Sequence, residues 1–154
     1  GGEARGDTYS SVECLVGSKY GDSLRGNLYD NKLEGGGGDD WIYGRGGHDR
    51  IFGGSGDDRL YGGSGDDILA GSNGKDTFVF RDGYGNDRVS DFKDNVDTIL
   101  LVDDLWTGSL TVAEVIGDFA EVVNGDVVFD FGDDVLLIED FTDLSALEND
   151  VEIA

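Results

Sequence analysis

The sequence predicts an all-β fold: a right-handed parallel β-roll followed by a capping β-meander with one short helix. Three observations predict it. A nine-residue period runs from residue 17 to residue 79. Glycine accounts for 27 of 154 residues and proline for none, more than twice the usual ~7% glycine without the proline of collagen or a stiff linker. Charge is also divided along the chain. All eleven Lys and Arg lie in residues 1–93 with seventeen acids, a net of −6, whereas residues 94–154 hold seventeen acids and no base. The total of −23 disfavours nucleic acid as a partner, because a phosphate backbone selects a basic surface. No apolar run approaches the ~18 residues that would span a bilayer.

Residues 1–16 form an N-terminal flank. Its Cys14 is the only cysteine, so an intramolecular disulfide framework is excluded. Gly1-Gly2 and the lack of any Met are expected of a piece of a longer protein, whose catalytic activity would lie upstream.

The repeat occupies residues 17–92. From Gly35 the chain reads GGGGDDWIY, GRGGHDRIF, GGSGDDRLY, GGSGDDILA and GSNGKDTFV, and upstream GSKYGDSLR and GNLYDNKLE keep the frame. The sixth position is Asp22, Asn31, Asp40, Asp49, Asp58, Asp67 and Asp76; the eighth is Leu24, Leu33, Ile42, Ile51, Leu60, Leu69 and Phe78. The opening glycines permit a tight turn with left-handed residues, and the three-residue tail reads as a strand with one side chain inward. Nine residues make half a coil, so blocks alternate between two sheets and those 18 apart stack at ~4.8 Å. Aspartates stacked at that spacing repel unless a cation lies between them, and hard carboxylate and carbonyl oxygens describe a Ca²⁺ site. Asp39, Asp57 and Asp66, at the fifth position, read as solvated.

This GGxGxDxUx repeat resembles the RTX, or hemolysin-type, calcium-binding β-roll, and GYGNDRVSDF resembles that family's roll-ending segment. The resemblance implies a ligand set. One ion would lie between Gly36, Gly38, Asp40 and Gly53, Ser55, Asp58; the next on that edge between Gly54, Gly56, Asp58 and Gly71, Asn73, Asp76. The opposite edge would pair Arg45, Gly47, Asp49 with Gly62, Ser64, Asp67, and then Gly63, Gly65, Asp67 with Asp87 across a two-residue insertion near Phe80 and Arg81. Upstream, Asp22 would pair with Asp40 and Asn31 with Asp49, although Tyr20 and Tyr29 replace the fourth-position glycine. About five Ca²⁺ are expected.

Residues 93–154 are expected to cap the roll, whose open end would otherwise be an unpaired edge. Thr111-Val-Ala-Glu114 fits a capping box, and the spacing of Val112, Val115, Ile116 and Phe119 predicts a helix over about 112–120. Asn124-Gly125 predicts a hairpin, and Gly132-Asp133-Asp134 a second turn before VLLIEDF. By resemblance, this segment also carries a type I secretion signal in Glu148–Ala154. The partner is then the type I secretion machinery, the destination extracellular or cell-surface, and the chain a monomer.

No catalytic sequence pattern is present, and the lone His48 falls at an exposed position, so no enzyme activity is expected here. Burial of one core side chain per block contributes ~1.5–3 kcal/mol, against an ordering cost of ~1–2 kcal/mol for each of nine residues. The roll is therefore expected to be disordered until Ca²⁺ binds. An alternative role is Ca²⁺-dependent polysaccharide binding, as in the repeat modules of alginate epimerases that this chain resembles in length. Five ions would change residues 1–93 from −6 to about +4, leaving Lys32, Arg45, Arg50 and Arg59 beside an outward stripe of Trp41, Tyr43 and Tyr61.

Overall fold

The computed structural model of the chain describes residues 13–154. Fourteen strands form two sheets. Strands β1 (Cys14–Val16), β3 (Lys32–Gly37), β5 (Arg50–Ser55), β7 (Ile68–Asn73) and β9 (Asn86–Val89) lie in one; β2 (Ser23–Arg25), β4 (Trp41–Gly46), β6 (Arg59–Ser64), β8 (Thr77–Phe80) and β10 (Thr98–Leu101) lie in the other. Successive strands thus alternate between sheets, and neighbours within a sheet are parallel. The register is the one the period demands: Leu33 pairs with Ile51 and Ile51 with Leu69, while Leu24 pairs with Ile42 and Ile42 with Leu60. All seven eighth-position side chains are buried in one column between the sheets.

The strands are longer than the block tail suggests. β3 to β7 each contain six residues, running from the seventh position through the third position of the next block. Pairing resumes past the first glycine, as in Gly36 with Gly54 and Arg45 with Gly63. Only positions four to six remain as the turn, so backbone hydrogen bonding holds most of each block.

The C-terminal residues extend the sheets. Helix α1 (Val112–Phe119) begins at a formed capping box: the Thr111 hydroxyl accepts from the Glu114 N–H, and the Glu114 carboxylate accepts from the Thr111 N–H. It leads into the antiparallel meander β11 (Ala120–Val123), β12 (Asp126–Asp130) and β13 (Val135–Ile138). Asn124 and Gly125 have φ of 57° and 104°, the left-handed pair of a two-residue hairpin. β13 then pairs in parallel with β9, so the meander continues the first sheet instead of crossing its end. The last strand, β14 (Val151–Ile153), pairs in parallel with β10 and closes the second sheet. Both sheets therefore run without interruption past residue 92. Between them, Trp106, Phe119, Phe129, Phe131 and Phe80 form an aromatic cluster with ring centroids 5.0–6.2 Å apart. No helix among the described residues is long and apolar enough to cross a membrane.

Candidate metal centre

The turns at positions four to six line the two edges of the roll. At positions two and four the backbone is left-handed: Gly36, Gly38, Arg45, Gly47, Gly54, Gly56, Gly63, Gly65, Ser72 and Gly74 all have φ between 74° and 140°. Most L side chains disfavour this region, which is why glycine fills eight of these ten places. Arg45 and Ser72 adopt it as well.

The sixth-position aspartates from Asp40 to Asp76 follow these turns and are buried. Each uses Oδ1 to accept the backbone N–H of the residue one coil earlier. On one edge the ladder runs Asp22 to Asp40 (2.7 Å), Asp40 to Asp58 (2.8 Å), Asp58 to Asp76 (3.0 Å) and Asp76 to Asp97 (3.0 Å). On the other it runs Asn31 to Asp49 (2.7 Å), Asp49 to Asp67 (2.7 Å) and Asp67 to Asp87 (3.0 Å). The second oxygen is different. Oδ2 of Asp40, Asp49, Asp58, Asp67 and Asp76 is buried and has no hydrogen-bond partner. It lies over the first-position glycine: a Cβ on Gly35, Gly44, Gly53, Gly62 or Gly71 would overlap it.

Five buried carboxylate oxygens without a donor are a large electrostatic cost. Burial accordingly pushes Asp49 and Asp58 up to about 7, and Asp67 and Asp76 up to about 6. Asp87 is pushed up to about 9, by burial first and by the neighbouring Asp67 second. Asp40 is raised for the same reason. A cation beside each Oδ2 removes the cost. The donors suit a hard one: the carbonyls of Gly53, Gly62 and Gly71 lie around the same points as Oδ2 of Asp40, Asp49 and Asp58. Carboxylate plus carbonyl is the donor set of Ca²⁺, which accepts six to eight oxygens in flexible geometry. The residues present fit that ion.

The upstream turns are built otherwise. Asp22 Oδ2 accepts the Ser18 N–H at 2.6 Å, and Asn31 Oδ1 accepts the Asn27 N–H at 2.8 Å. Ser18 Oγ and Asn27 Oδ1 accept from Tyr20 and Tyr29, and none of these four turn residues has positive φ. Asp22 and Asn31 enter the ladder as N–H donors, but a protein donor already uses the oxygen that would face an ion.

A second ladder, not anticipated from the spacing, joins the fifth positions. Asp39 Oδ1 accepts the Asp57 N–H, and Asp57 Oδ1 accepts the Lys75 N–H. On the other edge Asp30 accepts from His48, His48 Nδ1 from Asp66, and Asp66 from Asn86. These side chains are exposed, as expected, yet they tie coil to coil. The only advance signal was the polar character of every fifth position from Asp30 on. In the aromatic stripe Tyr43 and Tyr61 stack at 4.6 Å, as their separation of 18 requires. Arg25 covers the Tyr43 ring at 5.0 Å and Arg59 the Trp41 ring at 5.3 Å.

Comparison with known proteins agrees with this geometry. Residues 16–51 and 43–78 match the family described as RTX calcium-binding nonapeptide repeat, in four copies. No curated protein matches the sequence. Among solved structures, the fold is similar to that of the extracellular lipase LipA from Serratia marcescens, with a TM-score of 0.52 and 19% identity. That similarity covers 96% of this chain and 41% of the lipase, so the chain spans less than half of the lipase's length.

Proposed function

Residues 16–78 belong to the RTX calcium-binding repeat family, and on that premise we propose a module that is disordered without Ca²⁺ and folds when the ion binds. The observation that carries this reading is the set of five buried, donorless Oδ2 atoms. Four sites follow from them. One edge would hold an ion with Gly36, Gly38, Asp40, Gly53, Ser55 and Asp58, and another with Gly54, Gly56, Asp58, Gly71, Asn73 and Asp76. The other edge would hold one with Arg45, Gly47, Asp49, Gly62, Ser64 and Asp67, and one with Gly63, Gly65, Asp67 and Asp87. The glycines, Arg45, Ser55, Ser64 and Asn73 would contribute carbonyls, the aspartates carboxylate oxygens. Bound Ca²⁺ supplies the positive charge that lets these carboxylates stay ionised inside the roll. The upstream turns, satisfied by their own side chains, need no ion.

Residues 17–92 are then the calcium-dependent part and residues 93–154 the segment that completes the sheets and carries a type I secretion signal. Such a chain stays unfolded in calcium-poor cytosol, passes a channel, and folds outside, where the parent protein acts. In the folded chain Val151 is buried against β10, while Glu148, Glu152 and Ala154 stay exposed. The polysaccharide reading is weaker, because Tyr43, Tyr61 and Trp41 spend ring faces on one another and on Arg25 and Arg59.

The test is a Ca²⁺ titration of the metal-free chain followed by far-UV circular dichroism and by tryptophan fluorescence, with Mg²⁺ as control. A cooperative coil-to-β transition with Ca²⁺ alone, reversed by chelator, is expected. A chain already folded without metal and indifferent to Ca²⁺ refutes the proposal.

A further inference from the structure

The metal ladder on the Asp40–Asp58–Asp76 edge ends at a lysine. Lys93 is the last basic residue of the chain. Its half-buried ammonium donates to the main-chain carbonyl of Ser72. Ser72 is the second-position residue of its block, left-handed at φ 74° like Gly36 and Gly54 on the same edge. Those two residues are assigned carbonyl ligands of the first and second ions; Ser72 is next in line.

The surroundings of Ser72 are built for a cation. Asp91 accepts the Gly71 N–H at 2.9 Å and the Ser72 N–H at 2.8 Å, fixing the backbone that leads into that carbonyl. Asp97, which continues the ladder, accepts the Asp76 N–H with Oδ1 and the Lys93 N–H with Oδ2 at 2.9 Å. Lys93 is close enough to act electrostatically on both Asp76 and Asp97. Blocks elsewhere on this edge pair at a separation of 18, but Thr77 pairs with Thr98, a separation of 21. Two of the three extra residues precede β9, where Ile68 already pairs with Arg88 at a separation of 20, and one lies between Arg88 and Thr98. That last stretch holds the turn in which the Lys93 carbonyl accepts the N–H groups of Val96 and Asp97.

We propose that the Lys93 ammonium takes the position of a third cation on this edge, ending the metal ladder with a charge carried by the chain itself. An ammonium is a compact point charge with three donors and no acceptor, suited to a carbonyl amid carboxylates. The last coil is thereby joined to residues 98–154 without a metal ion. This inference rests on the calcium reading above.

Native mass spectrometry of the Ca²⁺-loaded chain tests it, with Lys93→Ala to vacate the position and Lys93→Arg to keep its charge. Lys93→Ala is expected to carry one Ca²⁺ more than the wild type, and Lys93→Arg the wild-type number. A folded Lys93→Ala with the wild-type number overturns the inference. Should Lys93→Ala fail to fold at saturating Ca²⁺, the isosteric neutral Lys93→Met decides. If it also fails while Lys93→Arg folds, the tethered charge is required; if it folds with the wild-type ion number and Ca²⁺ midpoint, the inference is wrong. A wild type that binds no Ca²⁺ at all would instead refute the calcium reading itself.

Discussion

Residues 32–79 and residues 93–154 bury acids in opposite ways. In the repeat, Asp40, Asp49, Asp58, Asp67 and Asp76 each use one oxygen in the ladder and leave the other without a protein donor. In the C-terminal part Asp97 and Asp134 use both oxygens. Asp97 accepts from Asp76 and Lys93, and Asp134 accepts from Gly83 and Gly85. Asp150 Oδ2 accepts the Asn95 N–H. The apolar cores differ in parallel. The repeat has one buried column, while the C-terminal part adds Val115, Ile116, Val127, Phe129, Leu136, Ile138 and Leu147 around the aromatic cluster. The lesson is that one continuous pair of sheets leaves buried carboxylate oxygens without a protein donor over one stretch and relies on a wider apolar core over the next.

Removing Ca²⁺ should expose this contrast most strongly. Under chelator, amide hydrogen exchange in β3 to β7 should accelerate at least about a hundredfold, the factor that ~2.7 kcal/mol of linked stability supplies. Amides of Val127, Phe129, Leu136 and Ile138 should be the last to lose protection as Ca²⁺ is withdrawn. Uniform acceleration along the chain would mean that the two parts do not differ in this way.

Single carboxylates sharpen the comparison. Asp58 belongs to two of the proposed sites, so Asp58→Ala should raise the Ca²⁺ concentration at half-folding about tenfold or more, each tenfold being ~1.4 kcal/mol. Asp134→Ala instead removes the acceptor of the Gly83 and Gly85 N–H groups, at ~0.5–1.5 kcal/mol for each hydrogen bond. It should lower the melting temperature with the ion number unchanged. If the two variants shifted the calcium midpoint alike, the distinction between ion-held and protein-held carboxylates would fail.

Deleting residues 151–154 removes β14, exposes β10, and loses the burial of Val151, worth ~1.5–3 kcal/mol. A lower melting temperature in calcium is expected, with self-association through the bare edge. A deletion without effect on either would show that β14 contributes nothing to the folded state.

Acid gives the smallest effect. Carboxyls raised from their ordinary range to about 6 or 7 hold protons in the folded chain that the unfolded chain has released. The metal-free fold therefore loses stability as pH rises from about 4 to about 7, and acid favours it. With Ca²⁺ present the proton is a competitor, and the calcium midpoint should rise as pH falls through about 6. Circular dichroism at about pH 5 and pH 8, with and without Ca²⁺, checks both directions. More β structure at the higher pH in the metal-free chain would reverse the sign and reject the assignment.

The repeat was legible because its physics is local. Asp at every sixth place, an apolar residue at every eighth, and glycine where the backbone must turn left-handed dictate alternating strands and a register of 18. Helix α1 and the Asn124-Gly125 hairpin were legible for the same reason, since a capping box and a two-residue turn act over a few residues. Other features depend on partners far away in sequence. That β13 joins β9 and β14 joins β10 is set by which edges are left open when the coils stop. The clamp of Asp134 on Gly83 and Gly85, about fifty residues away, has no periodic signal. The ligand pattern itself could be written from the repeat, but which oxygens lack a donor could not. Asp22 and Asp40 occupy equivalent places in the period, yet the Ser18 N–H satisfies one and nothing satisfies the other. Sequence fixes the kind and order of groups along the chain, whereas satisfaction of a buried charge depends on every donor that folding brings within reach, and only the tertiary structure decides that.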